Sequence, residues 1–254
     1  MFFDKFRSLS GLALILAGLL LFSVSTVEAR DIEFDFEDEM NDEFEDFVTE
    51  IGSAFSYIPA YPARSRGIIG WDVGVDFSTI DISDDKDYMN KGFGDNAPSY
   101  AFLPRVRAGK GLPGDLDVSA FISGDPQGNA RLYGGSLKYA FISGGTFLTD
   151  ILAEPTAAVR LHGTQLSGVS DFDLYTYGAD LSASMNFPLL TPYAGVSHVE
   201  IEGSEEAGIG LDDVSTDDQR YFIGTGFSLG LIEFFGEANF GESETYTVRG
   251  NIGF

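Results

Sequence analysis

The most constraining feature of this sequence is a regular alternation of apolar and polar residues, clearest at its C-terminal end. Phe254, Ile252, Gly250, Val248 and Tyr246 share one parity, and the residues between them are Gly, Asn, Arg and Thr. Because the side chains of a β-strand point alternately to opposite faces, this segment has one apolar and one polar face. The division recurs about ten times along the chain, with aromatic residues on the apolar parity and most charges on the other. This pattern is typical of a transmembrane barrel with lipid outside and a polar lumen inside.

The alternation predicts an all-β fold, an antiparallel up-and-down transmembrane β-barrel of about ten strands, with eight or twelve as alternatives. Long acidic connections at 80–99 and 203–217 fall at one end, and short ones at 111–114 and Gly230 fall at the other. Outer-membrane barrels have long external loops and short periplasmic turns. The start of the first strand and the end of the last strand are therefore expected on the periplasmic side. The inner connection 143–153 is longer than this rule predicts. The strands are predicted at 67–79, 100–110, 115–124, 130–142, 154–165, 172–187, 192–202, 218–229, 231–240 and 244–254.

Residues 1–29 have the features of a removable export signal, and 67–254 form the barrel. Lys5 and Arg7 precede an apolar run, and small residues stand before a cleavage position ahead of Arg30. A retained membrane helix is the alternative, since the run without charge is long enough to span a bilayer. The absence of cysteine excludes disulfides and thiolate metal sites. These features predict export to the outer membrane of a Gram-negative bacterium, with cleavage of the signal.

The chain carries a formal charge of −25, which restricts its partners. Nucleic-acid binding depends on Lys and Arg that neutralise phosphates, so a nucleic-acid partner is not expected. The acids of the predicted external loops lie at 81–87 and 212–218, and they fit solvated loops that bind divalent cations. No cofactor and no built metal site are predicted.

The segment 30–66 is predicted to be an acidic amphipathic helix followed by a linker. The helix is expected from about Asp35 to Phe55, and Pro59 and Pro62 in the linker cannot continue it. Three alternatives remain open for the helix: it enters the bore as a plug, it lies at the periplasmic mouth, or it stays mobile. Its apolar stripe, at steps of three and four residues, consists of Phe36, Met40, Phe44, Phe47, Ile51 and Phe55.

Aromatic residues on the apolar parity fall into two groups, as expected for girdles at the two membrane interfaces. The alternative, a soluble periplasmic barrel that binds an apolar ligand, would bury these rings in a central core and expose the charged parity to water. The outer girdle is predicted to contain Tyr133, Tyr175, Tyr177, Tyr221, Phe240 and Tyr246. The inner girdle is predicted to contain Tyr139, Phe141, Phe187, Tyr193, Phe227 and Phe254.

Charged residues of both signs occupy the parity assigned to the lumen. They predict either a ladder of ion pairs that braces the wall or a charged constriction that selects solutes. Many small residues share this parity and leave space in the bore. The predicted lumen bases are Arg105, Arg107, Lys138, Arg160, Arg220 and Arg249. The predicted lumen acids are Asp72, Asp76, Asp115, Asp117, Asp180, Glu200, Glu202, Glu233 and Glu237.

His162 and His198 are the two histidines, and both are assigned to the lumen. With Glu200 and Glu202 on the strand of His198, they make an outer-membrane enzyme a second hypothesis, with histidine as a general base. The sequence contains neither Gly-x-Ser-x-Gly nor His-Glu-x-x-His, so it carries no recognisable nucleophile or zinc-protease motif. The prediction is therefore that the protein is not an enzyme.

The last residues, YTVRGNIGF, resemble the signal by which the barrel-assembly machinery recognises Gram-negative outer-membrane proteins. The stretches DLYTYGADLSASMNF and LTPYAGV resemble strand pairs of proteobacterial outer-membrane barrels with no assigned function. The resemblance covers 67–254, and it departs where Ile252 replaces a frequent aromatic. It implies the assembly machinery and outer-membrane lipid as partners, with Tyr246, Val248, Ile252 and Phe254 as the signal. The expected function is a narrow or gated passive channel for small solutes, or a structural membrane protein.

Overall fold

The computed structural model describes residue 36 and residues 40–82, 86–93, 99–124, 130–143, 154–169, 172–206, 208 and 210–254. Ten strands and two helices, α1 (Asn41–Phe55) and α2 (Asp87–Phe93), lie within these ranges. The predicted export signal and the connection 144–153 fall outside them. The strands are β1 (Trp71–Asp81), β2 (Tyr100–Leu112), β3 (Leu116–Gly124), β4 (Arg131–Ser143), β5 (Glu154–Ser167), β6 (Phe172–Asn186), β7 (Leu190–Glu205), β8 (Val214–Leu229), β9 (Ile232–Phe240) and β10 (Thr245–Gly253).

Each strand pairs antiparallel with its neighbour in sequence, and β1 pairs with β10 to close the barrel. The closing register places Asp72 opposite Gly253 and Asp76 opposite Arg249. Closure leaves every strand of the sheet paired on both sides, which removes exposed sheet edges. The predicted fold class and the ten strands are therefore confirmed.

The two ends of the barrel differ, and we name them by their connections. At the turn end, β1 begins and β10 ends, and tight turns connect β2 to β3 and β8 to β9. Both turns use the left-handed region, with φ of 79° at Gly114 and 67° at Gly230, which favours glycine. At the loop end, the longest connections follow β1 and β7.

The outer surface of the wall is apolar and the inner surface carries the charges. Leu181 and Val248 are 53% and 61% exposed on the outside, whereas Arg105 is 1% exposed in the interior. The inverted arrangement expected of a soluble barrel with an apolar centre is therefore wrong for this wall. Eleven of the twelve predicted girdle aromatics lie on the outer face. Tyr193 is the exception, since it is buried inside the barrel beside Phe222 and Phe235.

The N-terminal segment occupies the interior. Helix α1 begins at Asn41, later than predicted, and packs inside the loop end, where Phe44 and Phe47 contact Phe172. Residues 56–66, named the plug segment here, then run along the interior to the turn end, where Trp71 begins β1 beside Phe254. The periplasmic-mouth position for the helix is therefore wrong, and the supposed linker fills the middle of the bore.

Helix α2 is an element that the sequence analysis did not predict. Its Gly92 packs against the ring of Phe47. Within the described ranges, no helix combines the length and apolar character needed to cross a membrane.

Candidate functional site: the plugged lumen

The middle of the barrel holds a buried ionic layer centred on Asp76. Its carboxylate lies 2.7 Å from Arg107 Nη2, 3.8 Å from Arg105 Nε and 3.7 Å from Arg249 Nε. Strands β1, β2 and β10 bring these four groups together, because Asp76 is directly opposite both Arg105 and Arg249 in the sheet. Charges removed from water persist when they are paired and hydrogen-bonded, so this cluster braces the wall where the barrel closes.

The ionic layer continues around the wall as pairs between neighbouring strands. Arg160 Nη1 lies 2.8 Å from Asp180, and Lys138 Nζ lies 3.0 Å from Asp117. All four side chains are almost completely buried. Towards the loop end, Arg220 and Asp218 form a longer pair, with 3.5 Å between their charged atoms.

The plug segment enters this layer through Tyr57. The Tyr57 hydroxyl accepts hydrogen bonds from Arg107 at 2.7 Å and from Ser136 at 2.9 Å. Arg107 also donates to the carbonyl of Ile58 at 3.0 Å. The ring of Tyr57 stacks on His162, with centroids 5.3 Å apart. Tyr57 therefore joins the wall at three strands, β2, β4 and β5.

Tyr61 is the second anchor of the plug segment, and basic groups surround it. The distances to its ring centroid are 4.1 Å from Arg66, 4.7 Å from Lys138 and 5.4 Å from Arg249. Cations over an aromatic face are attracted by its quadrupole, most strongly where water is excluded. The ring also contacts Phe235, with centroids 5.1 Å apart. Tyr61 thus holds the plug segment by apolar contact and by cation–π attraction together.

Backbone and charged groups complete the attachment of the plug segment. Lys138 donates to the carbonyl oxygens of Pro62, at 3.1 Å, and Arg64. Arg64 pairs with Glu233 of β9, and the backbone N–H of Arg66 donates to Asp117 at 3.0 Å. The wall thereby supplies hydrogen-bond partners for backbone groups of a segment that has no strand neighbour.

As a result little space remains between the plug segment and the wall. A cavity between them has a volume of about 10 Å³, the size of about one water molecule. This cavity, lined by described residues, has no room for a solute larger than water.

Nearer the loop end the interior is apolar, and α1 fills it. Phe44, Phe47, Val48 and Ile51 of the helix are fully buried against wall residues that include Phe172 and Ile201. A Cβ built on Gly52 would meet Ile201, and one on Gly203 would meet Val48, so helix and wall are in close contact. Polar bonds fix the other side, where Ser53 donates to Asp218 at 2.6 Å.

Helix α2 covers the outer side of α1. The Tyr88 hydroxyl donates to Glu50 at 2.8 Å. Burial, together with this bond to a carboxylate, raises the pKa of the Tyr88 hydroxyl. The hydroxyl therefore remains a donor, and it ties the loop after β1 to α1.

Most of the predicted lumen residues lie in the interior. The structure brings Asp76 together with three arginines, but it separates Arg220 from them and pairs it with Asp218. Interior positions are found for Arg105, Arg107, Lys138, Arg160, Arg220, Arg249, Asp72, Asp76 and Asp180. Asp117, Glu233 and Glu237 also face inward.

Glu200, Glu202 and His198 do not line the lumen, and these three predictions are wrong. They lie on the outer face of β7, because Val199 and Ile201 turn inward to receive α1. The polar parity would face inward only if the whole interior were polar, and here the interior is partly apolar. Asp115 is also corrected, since it is exposed in a turn with φ of 57°. Removing Asp115, Glu200 and Glu202 from the nine predicted acids leaves six against six bases.

The residues that sequence analysis missed belong to the plug segment. Tyr57, Tyr61, Arg64 and Arg66 were treated as part of a linker, and Asp218 was not assigned to the lumen. The sequence IPAYPARSRG offers no periodic signal, since it has a tyrosine between two prolines and two arginines after them. Extended backbone with long basic and aromatic side chains suits a segment that must bond to walls on all sides.

The two histidines are far from equivalent. His162 is sealed in the interior, with its Nε2 3.0 Å from Asp180 and its ring against Tyr57. His198 is half exposed on the outer wall, with its Nε2 3.0 Å from Glu200. Since they lie on opposite faces of the wall, they do not form the shared site that the enzyme hypothesis needs. Among the described residues, no group of three or more His, Cys, Asp or Glu side chains is arranged to hold a metal ion.

The remaining predicted residues fall into two sets. The helix stripe packs inside the barrel, with Phe55 and Met40 only partly buried and Phe36 against Phe44 and Phe47. The four residues of the predicted assembly signal are exposed on the outer face of the wall at β10: Tyr246, Val248, Ile252 and Phe254.

No protein-family model matches this sequence, and no curated protein matches it. Solved structures do match. Neisserial surface protein A is 9% identical with a TM-score of 0.30, over 72% of this chain and 94% of its own. Ail of Yersinia pestis is 10% identical with a TM-score of 0.26, over 73% and 97%. Omp33, an outer membrane protein of Acinetobacter baumannii, is 8% identical with a TM-score of 0.29, over 76% and 100%.

Because these TM-scores are low, the fold assignment rests on the strand pairing itself. Fold and site together define a closed ten-stranded antiparallel β-barrel whose own N-terminal segment fills the interior.

Proposed function

We propose that this protein is an outer-membrane β-barrel of a Gram-negative bacterium that is closed at rest and serves as a structural, surface-exposed membrane protein. The observation that carries the proposal is the plug segment, which contacts the wall through Tyr57, Tyr61 and Arg66 and leaves a cavity of only about 10 Å³ beside it. An open pore needs a water-filled path, and a barrel used as a scaffold does not.

The membrane location is supported by the outer surface. Its middle is covered by aliphatic side chains, with Tyr and Phe towards both ends. Most wall charges are buried inside, with Glu200 and Glu202 of β7 as outward exceptions. In water, an apolar surface that encircles the molecule would cause association, whereas acyl chains cover it without cost. Fractionation with heat-modifiable gel mobility tests this location. Recovery of the folded chain in the soluble periplasmic fraction would contradict it.

The orientation follows from the same proposal. Long loops face outward in outer-membrane barrels, so the loop end with α1 faces the cell exterior and the turn end faces the periplasm. Outer-membrane lipid is then the main partner, and the barrel-assembly machinery acts at β10, whose apolar face is exposed. The acidic loop end is expected to attract divalent cations that also bind lipid phosphates.

A gated channel is the second candidate, and one observation favours it. Once the plug segment is removed, the wall behind it presents small residues such as Gly109, Ser119 and Ser136 together with balanced charges. Such a wall leaves a polar path from the middle of the barrel to the turn end, and α1 still fills the loop end. A signal that displaces α1 together with Tyr61 would then open a narrow passage.

The protein is proposed not to be an enzyme. His162 has no access to a substrate while Tyr57 covers its ring, and His198 lies on the outer wall. The charged groups within 4 Å of their ring nitrogens in the described residues are carboxylates, with Asp180 beside His162 and with Glu200 and Asp217 beside His198.

Conductance in planar bilayers tests the proposal and separates the two candidates. The mature chain, beginning at Arg30, is expected to give no current above the lipid background. Tyr61→Ala removes the anchor of the plug segment, and Tyr139→Ala, on the outer wall, is the matched control. Steady current through the unaltered chain would overturn the closed resting state. Current through Tyr61→Ala alone would favour the gated channel over the scaffold.

A further inference from the structure

The small cavity beside the plug segment has an unusual lining. It is formed by four basic side chains, two wall serines and the two plug tyrosines, with Pro59 closing one side. Among the described residues that line it, none is acidic. The charged side chains are Arg66, Lys138, Arg160 and Arg249, and the serines are Ser119 and Ser136.

The basic groups do have carboxylate partners, but those partners lie outside the cavity. Arg66 and Arg249 pair with Asp72, and Lys138 and Arg160 pair with Asp117 and Asp180, and none of these acids contributes to the lining. Every charged side chain that lines the cavity is therefore basic. Arg249 Nε makes no hydrogen bond, and it lies 3.7 Å from Asp76.

From this arrangement we propose that the cavity is a binding site for one small inorganic anion, with chloride as the natural occupant, which locks the plug segment to the wall. The volume of about 10 Å³ admits a monatomic ion or one water and excludes phosphate or a carboxylic acid. Between these two occupants the electrostatics decide. Four basic side chains converge on the cavity, and they stabilise an anion more than a neutral molecule.

The anion links the wall to the plug. Lys138, Arg160 and Arg249 belong to three different strands, whereas Arg66 belongs to the plug segment. An ion held between them is bound only when the plug segment is in place, so it stabilises the closed form by mass action. The proposal concerns the interior alone and does not depend on the membrane location or on channel activity.

Bromide, which scatters anomalously and replaces chloride, tests the site directly. Crystals of the full mature chain grown with sodium bromide are expected to show one anomalous peak inside the cavity, within hydrogen-bond distance of Arg160 or Lys138. A peak found only on the outer surface would indicate an adventitious ion only, and the proposal would fail. Density without anomalous signal at this position would indicate a water, and it too would overturn the proposal.

A second measurement uses stability. With ionic strength held constant, replacing gluconate by chloride is expected to raise the unfolding temperature of the folded chain in detergent. Ser119→Val fills the cavity and is expected to abolish this shift. Ser182→Val, another interior strand serine that does not line the cavity, is the matched control and should keep it. A shift of equal size in Ser119→Val, or no shift in the unaltered chain, would contradict the anion site.

The two proposals fail in different ways. Loss of the bromide peak in a chain that still gives no current would leave the closed barrel in place without its anion. Current through a chain that still binds bromide would instead overturn the closed resting state.

Discussion

The two halves of the interior are filled by different physical means. Near the loop end, the apolar stripe of α1 packs against apolar wall residues such as Phe172 and Ile201. From the middle to the turn end, an extended segment is held by ion pairs, cation–π contacts and backbone bonds, with Tyr61 at its centre. Burial of apolar area is tolerant of small shifts, whereas a buried charge must keep its partner. The ionic half therefore fixes the position of the chain, and the apolar half adds stability.

The largest expected effect comes from breaking the ionic half at Asp76. Asp76→Asn keeps the shape but leaves Arg105, Arg107 and Arg249 without their shared carboxylate. Losing one partner of a buried cluster is expected to lower the free energy of unfolding by about 3–5 kcal/mol. Urea unfolding, followed by the fluorescence of the single Trp71, measures it. Asp81→Asn, exposed at the end of the same strand, is the control. Equal stability of the two variants would contradict the bracing role.

Breaking the apolar half at Phe47 is expected to cost slightly less. Phe47 is 0% exposed and contacts Phe36 and Phe172. Phe47→Ala is expected to lower the free energy of unfolding by about 3–4 kcal/mol, and Phe227→Ala on the outer wall by much less. Because Phe47 and Asp76 share no partner, the two losses should add within about 0.5 kcal/mol in the double variant. Strong non-additivity would show that the halves are not independent.

A smaller change sharpens the boundary between the halves. Tyr57 lies where the helix ends and the ionic layer begins, and its hydroxyl accepts from Arg107 and Ser136. Tyr57→Phe keeps the ring but leaves both donors short of an acceptor, at an expected cost of about 1–3 kcal/mol. The same unfolding measurement applies, with Tyr139→Phe on the outer wall as control. If Tyr57→Phe is as stable as the unaltered chain, this hydrogen-bond junction is not important.

The smallest effect is expected on the outer wall. Glu200 was predicted to line the lumen, but it faces outward. Glu200→Gln is therefore expected to change the free energy of unfolding by no more than about 0.5 kcal/mol. A large loss of stability in this variant would indicate that Glu200 lies in the interior. It would therefore contradict the inward orientation of Val199 and Ile201.

The sequence was sufficient to predict the strands of the barrel wall, but not the segments that fill the interior. Period-two alternation depends only on local strand geometry, so it located all ten strands and the inward bases such as Arg105 and Arg249. The pattern failed on β7, where Tyr193, Val199 and Ile201 are apolar yet face inward. A parity pattern identifies the two faces of a strand but not what each one contacts, and here α1 and Tyr61 supply an apolar interior.

The plug segment could not be predicted for a related reason. Its residues follow no period, because an extended segment in a lumen is surrounded by wall on all sides. The bonds from Tyr57 to Arg107 and from Arg66 to Asp117 join positions about fifty residues apart. Such long-range pairings leave no local signature in the sequence. The sequence therefore could not decide whether the helix lies in the bore or at the periplasmic mouth.

The central claim is that residues 56–66 run through the interior, and disulfide trapping tests it most directly. Ala63 packs against Ala158 inside the barrel, and the chain has no cysteine of its own. In Ala63→Cys with Ala158→Cys, oxidation of the folded protein is expected to give an internal disulfide, seen as faster mobility on a denaturing non-reducing gel. Ala63→Cys with Ala157→Cys, whose second position faces outward, should remain reduced. Cross-linking of both pairs, or of neither, would contradict a plug segment inside the barrel.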